Sequence, residues 1–94
     1  MSTITCQTVA DKLAAYLRHD ISRGDLVAWA ESVMMEGEFE REHLAVIRDV
    51  VARLGVADVR TFGLTWEDCE QLLNRLGYAA NLFLTPVPSP HRRA

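Results

Sequence analysis

The chain has 94 residues, 49% of them hydrophobic and 24% charged, with a net charge of −3 and two cysteines. That length suits one domain, and the composition is that of a globular chain, not a natively unfolded one. No apolar run approaches the roughly 18 residues needed to span a bilayer. The N-terminus lacks the basic start and apolar stretch of a secretory leader, so neither membrane nor secretion is expected.

Residues 85–94, TPVPSPHRRA, hold all three prolines and are expected to form a disordered tail behind a helical domain at 1–84. Without Arg92 and Arg93 the domain carries 8 basic against 13 acidic side chains, a balance near −5. Such a surface repels phosphate backbones, which excludes non-specific nucleic-acid binding. Cys6 and Cys69 form neither a CxxC pair nor a zinc-ligand spacing, so a reduced, cytoplasmic chain is expected.

Four amphipathic segments follow in order. In the first, Val9, Ala10, Leu13, Ala14, Tyr16 and Leu17 share one helical face, with Thr8 and Asp11 as a cap and an end near His19 and Asp20. The second opens on Ser22-Arg23-Gly24-Asp25, a capping box with Ile21 and Leu26 in the staple positions. Leu26, Val27, Trp29, Ala30, Val33 and Met34 supply its apolar face, Met35 lies off it, and Gly37 stops it.

The third segment, over residues 40–54, has the widest apolar arc: Leu44, Val46, Ile47, Val50, Val51 and Leu54. It is expected to be the central helix, closed by a left-handed Gly55 with Val56 reaching back to Val51. The fourth opens on Thr65-Trp66-Glu67-Asp68, a second capping box with Leu64 and Cys69 as its staple. Trp66, Cys69, Leu72, Leu73 and Leu76 share its face, and Gly77 ends it with Tyr78 placed against Leu73. Between them one short helical turn capped by Asp58 is expected, and residues 81–84 read as a short extended segment. The expected fold class is all-α: a compact four-helix bundle-like single domain with an extended C-terminal segment and a Pro-rich tail.

Candidate chemistry is sparse. On a helix starting at residue 40, His43 falls amid the apolar face beside Ile47 and Val50, and Glu40 precedes it by three. Glu40-Arg41-Glu42-His43 thus has the Glu-x-x-His form of bundle di-metal sites, but such a site needs two copies. A homodimer would supply the second by symmetry. The preferred reading is a core-edge histidine bonded to a carboxylate or carbonyl. Cys69 sits in a first helical turn, which lowers a thiol pKa, but on the apolar face without a neighbouring base. Cys6, in an N-terminal stretch expected to be loose, is weaker still as a nucleophile. No P-loop, GxGxxG, GxSxG, HExxH or EF-hand loop occurs, so neither enzymatic activity nor a cofactor is expected.

The stretch from Glu31 to Glu42 carries Glu31, Glu36, Glu38, Glu40 and Glu42 against one cation, Arg41. Carboxylates at the start of the third helix favour its dipole, whereas those at the end of the second oppose that helix's dipole. Solvation alone is the commoner reason for such a run; the functional reading is a docking patch for a basic partner, with Met34, Met35 and Phe39 as apolar anchor.

YLRHDISRGDLVAWAE, residues 16–31, resembles the opening of small helical bacterial immunity proteins that neutralise colicin- or pyocin-type nucleases: a helix, an Ile-Ser turn, then a second amphipathic helix. The resemblance implies that Glu36, Glu38, Glu40 and Glu42 face a basic toxin site. The leading expectation is therefore a non-enzymatic protein-binding module, immunity- or antitoxin-like, acting through Glu31, Met35, Glu36, Glu38, Phe39, Glu40 and Glu42. The alternatives are a homodimer binding a metal or small ligand through Glu40 and His43, and a structural self-association subunit.

Overall fold

The structure, a computed structural model, describes residues 3–59 and 63–80. The extended segment expected at 81–84 and the tail at 85–94 lie outside the described residues, as do residues 60–62. The described chain is mainly helical, with β1 (Thr3–Ile4), α1 (Cys6–Leu17), α2 (Arg23–Glu36), β2 (Glu38–Phe39), α3 (Leu44–Leu54) and α4 (Trp66–Arg75).

Three of the four helices start by the same local chemistry. Ser22 caps α2 and Thr65 caps α4, each accepting from the backbone N–H of an aspartate three residues on, which reciprocates to the cap N–H. Each box satisfies two backbone donors that the helix itself leaves unpaired. The α1 box is Thr5 with Thr8, so that helix begins earlier than its Thr8–Asp11 pattern suggests. Ile4 and Val9, both buried, occupy the staple positions around Thr5.

The helix ends differ. Gly77 takes φ +95°, the Gly77 N–H donates to Asn74 O at 3.0 Å and the Tyr78 N–H to Leu73 O at 2.9 Å, the two bonds of a Schellman motif. At the end of α1 His19 occupies the equivalent position at φ 67°, with its N–H on Tyr16 O and that of Asp20 on Ala15 O. The expected left-handed Gly55 is corrected: its φ is −65°, and the chain runs on through turn bonds from Val56 to Arg53, Ala57 to Leu54 and Val59 to Val56. The helical turn expected to be capped by Asp58 runs into residues 60–62 and so lies outside the described residues. Gly37 is also not left-handed, but a Cβ there would lie 2.7 Å from Val33 O, so only glycine lets the chain leave α2 in this direction.

A parallel strand pair is the main departure from an all-helical chain. Thr3 lies opposite Glu38 and Ile4 opposite Phe39, with α1 and α2 as the crossover. The Glu40 N–H extends the ladder by donating to Ile4 O at 2.9 Å. A two-stranded ribbon is marginal on its own. Here Ile4 and Phe39 anchor it by packing against the helical core. This ladder corrects the third helix, which begins at Leu44 and not at residue 40, because the backbone of 38–40 is committed to the pair.

The core is apolar throughout. Val9, Leu13, Leu26, Ala30, Ile47, Val50, Val51, Leu54 and Cys69 are fully buried, and no polar or charged residue is buried among the described residues. α3 contributes four of these and packs chiefly on α2. Met34 and Trp66, expected on apolar faces, are instead 44% and 41% exposed. At the surface Lys12 of α1 lies over the Trp29 ring of α2 at 5.6 Å. Arg53 of α3 pairs with Asp68 of α4 at 3.3 Å and donates to Gly63 O, tying the approach to α4 against α3.

Candidate functional site

No polar residue is buried among those described, and the structure divides the acidic stretch in two. Glu31, Met35, Glu36, Glu38 and Glu42 face outward, Met35 at 84% exposure. Glu31 and Met35 are four apart on α2 and so share its outer face. None of these four glutamates makes an ion pair with another described residue. Phe39 alternates inward from Glu38 along β2 and packs on the core, so the exposed apolar contribution comes from Met35 and Met34.

Glu40 turns away from that outward group. Its carboxylate Oε1 lies 3.4 Å from His43 Nδ1, and Cys6 joins them: one ligating atom from each residue lies within 4.8 Å of the other two. Their spacing leaves open whether Glu40 and His43 meet; in the structure they do, but not on a helix. They lie in the non-helical link between β2 and α3, where His43 is the residue before the first helical turn and its side chain is 53% exposed. His43 is therefore not the core-edge residue of an apolar helical face; the strand ladder displaces the helix start that such a position requires.

Cys6 is the residue that sequence reasoning passed over. It is not in a loose terminus but is the first residue of α1, half-buried, with Ile4 held in the ladder two residues before it. The signal was present in Ile4-Thr5-x-x-Thr8-Val9, the same cap-and-staple pattern as at Ser22 and Thr65, with threonine where the others have aspartate. The three side chains open onto a groove of about 540 Å³, also lined by Gln7, Leu76, Gly77 and Tyr78.

The two thiols differ in setting. Burial, then the negative charge of Glu40, pushes the Cys6 thiol above its ordinary value, which keeps it protonated and makes it a poor nucleophile by itself. Cys69 is fully enclosed, and burial followed by nearby Asp68 raises it to about 11. The staple role expected for it accords with its place in the core. A larger groove, about 600 Å³, lies between α1 and the end of α4, lined by Ala10, Ala14, Leu17, Leu73 and Tyr78 among others.

Comparison of the chain with protein-family models, with curated proteins and with solved structures finds no match.

Proposed function

We propose that this chain is a small non-enzymatic binding protein that engages a basic protein partner through Glu31, Glu36, Glu38 and Glu42, with Met35 as the apolar contact. One observation carries the reading: between positions 31 and 42 four outward carboxylates, unpaired with any described cation, accompany a methionine that is 84% exposed. Uncompensated like charge raises local potential and steers an oppositely charged partner, while an exposed, flexible thioether supplies adaptable apolar area. Glu36 sits at the C-terminal end of α2, where a carboxylate opposes the helix dipole, so its position serves no purpose in forming that helix. The sharpest form of the proposal is an immunity- or antitoxin-like protein in the cytoplasm, built as a four-helix bundle and masking a basic site on a toxin.

The test is charge reversal at two exposed positions that make no ion pair with a described residue. Glu38→Lys combined with Glu42→Lys should leave the far-ultraviolet circular dichroism unchanged. It should weaken binding to the protein that wild type retains from its source cells by about tenfold or more, and flatten the salt dependence of that binding. Equal affinity of wild type and double variant for the retained protein would overturn the proposal.

A further inference from the structure

We propose that Cys6, Glu40 and His43 form a binding site for a thiophilic divalent transition metal of the Zn²⁺ class, with a fourth coordination position open to the groove. The 3.4 Å between His43 Nδ1 and Glu40 Oε1 is long for a hydrogen bond. It matches the edge of about 3.3 Å that two ligands make around tetrahedral zinc with bonds of about 2.0–2.1 Å. The Cys6 sulfur lies within 4.8 Å of a ligating atom on each of the other two residues, so side-chain rotation of about 1 Å closes the set to the S–N and S–O edges of about 3.6 Å.

The backbone positions are fixed before any metal arrives. Cys6 is held by the Thr5–Thr8 capping box, Glu40 by its N–H bond to Ile4 O, and His43 by its place at the start of α3. A preorganised donor set of this kind loses little conformational entropy on binding. All three donors come from one chain, so no second copy is needed to complete them.

Donor chemistry chooses the metal. A thiolate with an imidazole and a single carboxylate suits zinc and its neighbours, whereas calcium and magnesium demand mainly oxygen ligands. Thiolate and carboxylate together neutralise a divalent charge. Three protein ligands and one open position is the arrangement of exchangeable or reactive zinc sites, as against closed four-ligand structural ones. The half-exposed imidazole and the groove beside Gln7 and Tyr78 leave room for a water or a ligand side chain there. Binding must displace the Cys6 proton, so one proton is released per metal from that thiol and affinity falls as pH drops.

Metal binding is read on the isolated chain, so its outcome is separate from that of the basic-partner proposal. Tag-free, fully reduced protein is titrated with Co²⁺ as a spectroscopic probe and then with Zn²⁺. One Co²⁺ per chain should give a thiolate-to-metal charge-transfer band with intense tetrahedral d–d bands, both removed by Zn²⁺. Cys6→Ser should lose the charge-transfer band, and Cys69→Ala should keep it. Glu40→Gln and His43→Gln should each weaken Co²⁺ binding by about tenfold or more. A spectrum like that of the hydrated ion, or a charge-transfer band of equal strength in Cys6→Ser, would overturn the proposal. If either cysteine variant fails to fold, alkylation of wild type by iodoacetamide decides: Zn²⁺ should protect Cys6, and unchanged Cys6 labelling overturns the site.

Discussion

His19 shows how a single residue can carry a cost that its neighbours make necessary. It takes the left-handed conformation that ends α1, where a side chain costs roughly 1–2 kcal/mol and glycine costs little. His19→Gly should therefore raise unfolding stability by about 1 kcal/mol in urea titrations; a loss of stability would mean that the imidazole has a role at the turn. Cys69 supplies a pH dependence of defined sign. Its folded-state pKa of about 11 lies above the ordinary value of 9.0, so its contribution is complete below pH 9 and is lost as pH rises from 9 toward 11. Cys69→Ala should flatten that alkaline fall in stability. Asp68 acts in the opposite sense, its pKa held low first by the Thr65 backbone N–H and further by the Thr65 hydroxyl and Arg53. Its contribution is present above the ordinary carboxylate value of 3.8 and is lost as pH falls through the lower folded value.

At the scale of elements, the caps are the parts most open to prediction. Ser22→Ala and Thr65→Ala each remove a side-chain acceptor from a helix start and should cost about 1 kcal/mol. The two terminal glycines should separate. Gly77→Ala places a side chain at φ +95° and should cost about 1 kcal/mol, whereas Gly55→Ala at φ −65° should be neutral or stabilising by up to about 1 kcal/mol. Equal effects at the two positions would contradict the difference in backbone conformation. The boxes at Ser22 and Thr65 and the Gly77 stop were legible in the sequence because each depends on residues within six positions. The β1–β2 pair was not legible, since two-residue strands have no periodicity to detect and their partners lie 35 positions apart. That one long-range contact moved the start of α3, took His43 off a helical face and brought Cys6 to Glu40. The spacing of three put Glu40 and His43 on one side of a helix without deciding whether they meet, and the third donor depended on tertiary structure.

At the scale of the whole molecule, stability rests on an apolar core and leaves polar chemistry to the surface. Ile47 is fully buried on α3, the helix packed most extensively against α2, so Ile47→Ala should cost about 2–5 kcal/mol, a large part of the roughly 5–15 kcal/mol typical of a domain. Substitutions at Glu31, Met35, Glu38 or Glu42 should each change stability by less than about 0.5 kcal/mol, because these side chains are exposed. This separation of folding from surface chemistry is what a binding module requires: the face can vary its charge without weakening the core. The most direct measurement is photo-crosslinking in source cells with a photoreactive residue at Met35, compared with one at exposed Gln71 on α4. The account predicts one crosslinked basic protein from position 35, none from position 71, and loss of the product when Glu38 and Glu42 are both reversed to lysine. The same products from both positions, or a position-35 product indifferent to charge reversal, would contradict it.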